Sequence, residues 1–203
     1  MRHLKLLAWA LLLVFLSYSS PTFSEPFESK TVAEVIDGDT VVFSSGEHAR
    51  LIGIDTPERD QLFYDEAKEF LRNTLSDPNV TIEFDKDKRD RYGRLLIYLY
   101  LPDGTNVNDL LVENGLAKLY FFLPNLAHRD RLISILQGAI DSRLGLWANE
   151  PEGNEPYYVG DPNTLLFHKP GDKIVKKIKD PVIFNTRFDA FRAGYGIHRP
   201  CNP

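Results

Sequence analysis

The feature that most constrains the fold is the segment of residues 35–58, which reads VIDGDTVVFSSGEHARLIGIDTPE. Short runs of β-branched and apolar residues are separated there by Asp37-Gly38 and Ser45-Gly46, dipeptides typical of tight turns. Such runs favour short strands. Together with the residues just before it, the segment predicts three consecutive strands, at residues 31–36, 39–44 and 48–55.

The chain continues to residue 148 with alternating helical and strand patterns. VTIEF (80–84) and RLLIYLYL (94–101) predict two further strands, joined by the polar connector DKDKRDRYG. Apolar residues at helical spacing predict three helices, near residues 62–76, 107–115 and 126–143. The predicted fold class is α+β, mainly β: a five-stranded barrel of the OB type capped by three helices, with a small C-terminal module.

The N-terminus differs in composition from the rest of the chain. Residues 1–24 combine a basic start, a short apolar run and small polar residues, which is typical of a signal peptide. The alternative is an uncleaved membrane anchor, although the apolar run is short for a membrane span. We therefore expect a secreted or periplasmic protein whose mature form has no membrane partner.

The mature chain is expected to have two parts. Residues 25–148 would form the main domain, and residues 149–156 would form a linker rich in Pro, Gly and Glu. Residues 157–203 would form the C-terminal module.

Charge is distributed unevenly between these parts. Residues 25–150 contain 14 Lys and Arg against 23 Asp and Glu, whereas residues 151–203 contain 8 against 6. Phosphate contacts need cations, so an acidic main domain argues against a tight nucleic-acid binder. The excess of carboxylates suits a protein that gathers a metal cation and releases polyanions quickly, or it serves only solubility.

The predicted strands and the residues just after them concentrate four carboxylates around one arginine: Asp37, Asp39, Asp55, Glu58 and Arg50. If the second and third strands are antiparallel, Asp39 and Asp55 can meet at one end of the sheet. Two carboxylates with a backbone carbonyl and waters form an oxygen set suited to Ca²⁺ or Mg²⁺. The alternative is ordinary turn chemistry, because Asp-Gly is common in turns.

The neighbouring side chains would complete a site for phosphodiester hydrolysis. Glu58 could act as a general base on a water beside the metal. Arg50, with Arg94 after the connector, could bind phosphate oxygens through the planar guanidinium fork. A metal and two arginines would offset the charge of the transition state while the base prepares water.

Five motifs resemble the staphylococcal nuclease (thermonuclease) family, in that family's order and near its spacing: IDGDT (36–40), RLIGIDTPE (50–58), DRYGRLLIYLY (90–100), VNDLLVENGLAK (107–118) and LGLW (144–147). The resemblance covers roughly residues 30–148 and implies an OB-type barrel with Ca²⁺-dependent cleavage of DNA and RNA, leaving 3′-phosphate and 5′-hydroxyl ends. By motif position it also implies residue roles. These are Ca²⁺ ligation by Asp39, Asp55 and the backbone carbonyl of Thr56, general-base catalysis by Glu58, phosphate binding by Arg50 and Arg94, and a substrate contact from Tyr92.

The C-terminal tail contains a second candidate metal site. His168 and Asp172 form one pair, and His198 and Cys201 form another about 25 residues further on, a layout typical of zinc sites. FHKPGD, VIFNTRFDAFRAGY and HRPCNP resemble the four-cysteine zinc module of Ada-type methyl-phosphotriester repair proteins, with only Cys201 kept. Either these four residues still bind Zn²⁺, or the module has lost its metal and packs as a small apolar unit.

Two other functions remain compatible with the residues. The same barrel could bind single-stranded nucleic acid without cutting it, as OB folds do, or it could hydrolyse small nucleotides. A pure binding module has no need of Glu58, so the sequence favours a nuclease with DNA and RNA as substrates. We expect a monomer, although Cys201, the single cysteine, permits a disulfide-linked dimer.

Overall fold

A five-stranded closed barrel forms the first part of the protein in a computed structural model that describes residues 27–198. The predicted signal peptide, residues 1–24, and Cys201 lie outside the described residues. The strands of this part are β1 (Phe27–Val35), β2 (Thr40–Phe43), β3 (His48–Leu51), β4 (Gly53–Asp55), β5 (Asn79–Arg89), β6 (Leu95–Tyr100) and β7 (Lys118–Tyr120). The barrel closes in the order β1-β2-β3-β6-β5, and β3 and β6 are its one parallel pair. The predicted barrel class is confirmed.

Helices cover the barrel, and their bounds are α1 (Tyr64–Thr74), α2 (Val107–Glu113), α3 (Arg129–Asp141) and α4 (Leu146–Asn149). The three predicted helices are present, although each is shorter than its sequence pattern. The helix α2 ends where Gly115 takes a φ of +67°, a conformation that glycine adopts without strain. None of the described helices has the length and apolarity needed to cross a membrane.

The barrel interior is filled by apolar side chains from alternate strand positions. The fully buried ones include Phe43, Leu51, Ile82, Ile97 and Leu99. Burial of each such side chain stabilises the folded state by about 1.5–3 kcal/mol. This packing fixes which side chains of β2 and β3 point inward and which are left for the barrel's rim.

The predicted third strand, residues 48–55, is wrong as a single strand because the chain turns at Ile52 and Gly53. The Ile52 N–H still donates to Ile97 O of the barrel (3.0 Å), and Gly53 then takes a φ of +80°. Beyond this point β4 pairs with β7, a three-residue strand that the sequence did not predict. The segment therefore belongs to two sheets, and Asp55 ends the second of them.

Asn108 holds this break in place from α2. Its side-chain amide donates to Ile52 O (2.9 Å) and accepts from the Leu99 N–H (3.1 Å). Asn108 is fully buried, so these two bonds satisfy backbone groups that water cannot reach.

The polar connector predicted after residue 84 is mostly strand. β5 continues to Arg89 and pairs with β6 at Phe84↔Ile97 and at Arg89↔Leu95, with a shift of register between these pairs. Only residues 90–94 form the turn, and Gly93 has a φ of +83° there. The two strands form a ribbon that carries this turn out beyond the barrel.

The tail forms a second, four-stranded sheet from β8 (Tyr158–Asp161), β9 (Leu166–His168), β10 (Val182–Phe184) and β11 (Gly196–Ile197). The strand order is β10-β8-β9-β11, with the helix α5 (Arg187–Arg192) and a short 3-10 turn at Val175–Lys177. Its aromatic residues join the same hydrophobic cluster as the barrel's core. The Trp147 and Phe191 rings, for example, lie 5.1 Å apart in an edge-to-face arrangement.

Polar contacts also connect the tail to the rest of the chain. Glu150, whose side chain is 6% exposed, pairs with Lys118 of β7 (2.6 Å) and with Arg187 of α5 (2.5 Å). Arg192 pairs with Asp141 of α3 (2.6 Å). Glu150 lies in the predicted linker, so part of that segment is fixed between β7 and α5. The division at residues 148 and 156 stays a prediction.

Replacement of Asn108 by Ala should destabilise the protein by about 2–4 kcal/mol, because two buried backbone groups would lose their partners. Urea unfolding of the wild type and the variant measures this difference. Asn114→Ala is the matched control, since Asn114 is exposed just beyond the same helix. A loss no greater than that of the control would contradict the role assigned to Asn108.

Candidate active site

Side chains from several elements meet at one end of the barrel. In the sheet, Thr40 is opposite Arg50, and Arg50 is opposite Leu96. In these registers Asp39 lies beside Leu51, whereas Arg94 precedes Leu95, which is opposite Ala49, so the two residues flank Arg50 from either side. A cavity of about 150 Å³ opens there, lined by Asp37, Asp39, Thr40, Arg50, Thr56, Pro57, Glu58 and Arg94.

Asp39 is a firmly held carboxylate of this site. Its Oδ2 accepts from both the backbone N–H and the hydroxyl of Thr56, each at 2.8 Å. Its Oδ1 accepts from the Thr40 hydroxyl (3.2 Å) and pairs with Arg50 Nη1. Asp39 is only 5% exposed. Burial of a carboxylate is costly, and these hydrogen bonds and the ion pair offset that cost.

Arg50 lies between two carboxylates. Besides Asp39, its guanidinium donates from Nη2 to Asp55 Oδ1 (2.8 Å) and to Ile54 O (3.2 Å). Burial lowers the pKa of Arg50, while the negative charges of Asp55 and Asp37 oppose that change. Arginine keeps its proton under all ordinary conditions, so the group remains a cation. The two aspartates that were predicted to meet at one end of a single sheet share this guanidinium instead, and Asp55 reaches it from β4, outside the barrel's sheet.

The Asp37-Gly38 turn fits closely against Thr56. The Asp39 N–H donates to Asp37 Oδ1 (3.0 Å), which fixes the turn. A Cβ atom on Gly38 would lie 2.7 Å from Thr56 Oγ1 and 2.8 Å from Ala67 Cβ. Glycine is therefore required between the two aspartates, because any larger residue would push Thr56 away from Asp39.

Arg94 reaches the rim from the β5–β6 turn, where Asp90 orients it. Asp90 accepts from Arg94 Nε (2.7 Å) and from the backbone N–H groups of Arg94 and Tyr92. Burial would raise the pKa of Asp90, but these hydrogen bonds outweigh it and lower the pKa below the ordinary value. Asp90 was missed by the sequence analysis. The sequence did contain a signal for this role, because an Asp at the start of a turn that contains Gly93 commonly accepts hydrogen bonds from the backbone of that turn.

Tyr92 lies at the tip of the same turn and is 69% exposed. The Arg91 guanidinium stacks over its ring at 4.7 Å, and Arg91 Nη2 donates to its hydroxyl (2.6 Å). The ring and the cation thus form one exposed surface at the outer edge of the site.

Glu58 is exposed on the loop after β4 and faces two cavities. The loop begins with a reciprocal pair of bonds, in which the Glu58 N–H donates to Gln61 Oε1 (2.9 Å) and the Gln61 N–H to Glu58 O (3.0 Å). The second cavity, of about 410 Å³, is lined by Glu58 together with Asp55, Lys118, Glu150 and, from the tail, Ile197.

The donor chemistry of the rim fits a hard divalent cation. Four carboxylates and two guanidinium groups give the cluster a formal charge of −2. Arg50 contacts Asp39 and Asp55 directly, and the charges of Asp37, Glu58 and Arg94 act on it over a longer distance. Oxygen atoms are the ligands that Ca²⁺ and Mg²⁺ prefer. Asp39 and Asp55 already converge on one positive group, so they are the residues that could hold such an ion.

The tail's candidate ligands also converge, but far along the chain from the barrel's rim. His168, Asp172 and His198 each offer a ligand atom, and these atoms lie within 4.8 Å of one another. Cys201, the fourth predicted ligand, lies outside the described residues. Burial, with a smaller effect from His198, lowers the pKa of His168.

Comparison with known proteins agrees with the site and the barrel. The family described as staphylococcal nuclease homologue matches residues 48–149. A thermonuclease of Staphylococcus hyicus is 32% identical over 156 residues, which is 68% of this chain and 92% of that protein. A thermonuclease of Staphylococcus intermedius is 35% identical, over 59% of this chain and 76% of that protein. An uncharacterized endonuclease of Escherichia coli is 32% identical, over 68% and 88%.

The fold and these relatives define the class: this is a nuclease, an enzyme that hydrolyses phosphodiester bonds. Within that class, the chain belongs to the staphylococcal nuclease family.

Replacement of Gly38 by Ala should lower nuclease activity at least tenfold, because the new methyl group would displace Thr56 from Asp39. Cleavage of duplex DNA under initial-rate conditions measures this loss. Gly138→Ala is the matched control, since a Cβ there meets nothing within 4 Å. Equal activities of the two variants would refute the packing argument.

Asp90→Asn should change how stability depends on pH. Folding lowers the pKa of Asp90 from its unfolded value near 3.8. The stabilisation that Asp90 contributes is therefore present above pH 3.8 and is lost as the pH falls through the lower pKa of the folded state. The variant should therefore be less stable than the wild type at pH 6, and the difference should shrink towards pH 3. Denaturant unfolding at both pH values measures it, with Asp130→Asn as the control because that side chain is 97% exposed. A difference that stays constant with pH would exclude the ionised pair.

Proposed function

We propose that this protein is a Ca²⁺-dependent nuclease that hydrolyses DNA and RNA and leaves 3′-phosphate and 5′-hydroxyl ends. One observation carries the proposal: Asp39, Arg50, Glu58 and Arg94 line one cavity at the barrel's rim, and Asp55 pairs with Arg50 there. In this proposal the set supplies the metal ligands, the base and the phosphate-binding cations around that cavity. The relatives named as thermonucleases support the same activity.

Asp39 and Asp55 would hold the metal, with the backbone carbonyl of Thr56 as a further ligand. The bonds from Thr56 and Thr40 fix the Asp39 carboxylate before any ion arrives, so little rearrangement is needed on that side. When bound, Ca²⁺ supplies positive charge that stabilises the more negative transition state.

Arg50 and Arg94 bind the phosphate oxygens in this proposal. Arg50 now neutralises Asp39 and Asp55, and once those carboxylates share a metal its guanidinium is available to a phosphate in the same cavity. Asp90 holds Arg94 at its Nε, which leaves the terminal nitrogen atoms to face the substrate. Two arginines on one phosphate give bidentate contacts that strengthen as charge develops.

Glu58 acts as the general base. Its exposed carboxylate takes a proton from a water molecule, and the water oxygen forms a bond to phosphorus. The bond between phosphorus and the 5′ oxygen then breaks, and that oxygen takes a proton from solvent. The products are a 3′-phosphate and a 5′-hydroxyl.

Tyr92 would contact the substrate's terminal phosphate from the edge of the site. Its exposed ring, with Arg91 stacked on it, offers a flat surface and a cation to an incoming strand. Tyr92 and Arg91 reach beyond the barrel on the β5–β6 turn, which suits a contact outside the catalytic cavity.

Export is part of the proposal. Residues 1–24 have the basic, apolar and small-residue order of a signal peptide, and a nuclease that acts on environmental DNA and RNA needs access to them. We further propose that the exported enzyme acts as a monomer, with the complete catalytic set within one chain.

Glu58→Gln should lower the cleavage rate by about 10²–10⁴, since the amide cannot accept the water's proton. The rate is measured on single- and double-stranded DNA and on RNA, with Ca²⁺, with Mg²⁺ and with a chelator. Only Ca²⁺ should support full activity. Polynucleotide kinase should label the 5′-hydroxyl ends of the products without prior dephosphorylation. A polymerase should fail to extend the products, because their 3′ ends carry a phosphate.

The matched control is Glu113→Gln, because Glu113 is an exposed carboxylate outside the catalytic cavity. Equal rates of the Glu58 variant and the wild type would remove Glu58 from its role. A wild-type protein that retains DNA but cleaves nothing under any of these conditions would favour a binding module instead.

A further inference from the structure

The tail's sheet brings two histidines side by side. β9 and β11 run parallel, with Gly196 opposite Leu166 and Ile197 opposite Phe167. The pairing continues by one residue, since the His198 N–H donates to Phe167 O (3.1 Å). His198 therefore lies next to His168, and the centroids of their rings are 4.6 Å apart.

A short turn places a carboxylate beside the same pair. The Lys169 N–H donates to Asp172 Oδ2 (3.2 Å), and the Asp172 N–H donates to Lys169 O (3.1 Å). This turn holds Asp172 Oδ2 at 3.9 Å from His168 Nδ1. Three potential ligand atoms, two imidazole nitrogens and one carboxylate oxygen, thus lie within 4.8 Å of one another.

His168 has an unexplained buried nitrogen. The residue is 3% exposed, and its Nδ1 has no hydrogen-bond partner among the described residues. The distance of 3.9 Å to Asp172 is too long for a hydrogen bond. Buried polar atoms are nearly always satisfied, so a structural histidine of the core would be expected to have a partner here.

A metal ion explains the arrangement better than a core histidine does. Ligand atoms about 2.0–2.2 Å from one zinc ion are separated by roughly 3.3–3.6 Å in a tetrahedral site. The distance between Nδ1 and Oδ2 is close to that value, and His198 and Asp172 are partly exposed, which gives an ion access. Two imidazoles with one carboxylate favour Zn²⁺ over Ca²⁺, which prefers oxygen atoms alone.

We propose that His168, Asp172 and His198 form a Zn²⁺ site that is separate from the catalytic rim. Three protein ligands leave one tetrahedral position for a water molecule. The site does not depend on the catalytic proposal, because it uses none of the residues of the rim.

The position of the site gives it a structural role. It joins the end of β11 to β9 and to the turn after it. β11 packs closely on β7, since a Cβ on Gly196 would lie 2.9 Å from Leu119 O. Ile197 lines the 410 Å³ cavity beside Glu58. A bound zinc ion would therefore fix one wall of that cavity.

Metal content and thermal stability test the site on the full mature chain without an affinity tag. After treatment with a chelator and return of Zn²⁺, elemental analysis should find one zinc per chain. Zn²⁺ at 100 times its dissociation constant should raise the Tm by about 5–10 °C. Titration calorimetry should show at least a tenfold loss of zinc affinity in His198→Gln and in Asp172→Asn, both at partly exposed positions.

Two controls locate the bound ion. His48→Gln should keep the wild-type affinity, because His48 is an exposed histidine on β3. Asp55→Asn should also keep it, because Asp55 belongs to the catalytic rim. Absence of bound zinc in the wild type would overturn the proposal. So would a loss of zinc in the Asp55 variant with none in the two tail variants.

Discussion

The guanidinium of Arg50 is the group on which the site's geometry depends. A buried cation is costly unless it is fully paired, and Arg50 takes its partners from separate parts of the chain. Asp39 precedes β2, while Asp55 and Ile54 O belong to β4, which has already left the barrel. Pairing the charge of Arg50 therefore fixes the position of the barrel relative to the two-stranded β4–β7 sheet. Thr56 adds to this by holding the other oxygen of Asp39.

Much of the barrel and the composition of the site could be predicted from sequence, because their signals are local. The Asp37-Gly38 turn, the β-branched runs and the spacing of apolar residues each lie within a few neighbouring positions. The antiparallel pairing of β2 with β3 was predicted correctly. Asp55, however, lies on β4 outside the barrel, so its approach to Asp39 depends on the break after β3 and not on that pairing. The shared guanidinium was not predicted, since its contacts depend on three-dimensional packing.

The remaining features depend on distant contacts, which leave no local pattern. β7 has three residues and exists only because β4 pairs with it across more than sixty positions. The side chains in the outer half of β5 are exposed and polar, so the composition of this segment resembled that of a loop. Glu150 looked like a linker residue, yet the cations that bury it, Lys118 and Arg187, come from opposite directions along the chain. Asp90 was overlooked because hydrogen bonds within a turn produce no periodic pattern in the sequence.

The break between β3 and β4 also determines where evolution could change the length of this chain. Arg50 and Asp55 are joined by four intervening residues that pass from one sheet to another, and their ion pair spans the passage. A single inserted residue would turn the following side chains to the opposite face of the strand and separate the pair. The exposed stretch at residues 151–152 carries no such constraint, whereas Gly153 after it packs against the Tyr158 hydroxyl. Natural variants of this enzyme should therefore differ in length at that stretch and keep the Arg50–Asp55 interval unchanged, and an inserted domain would be tolerated at the same place.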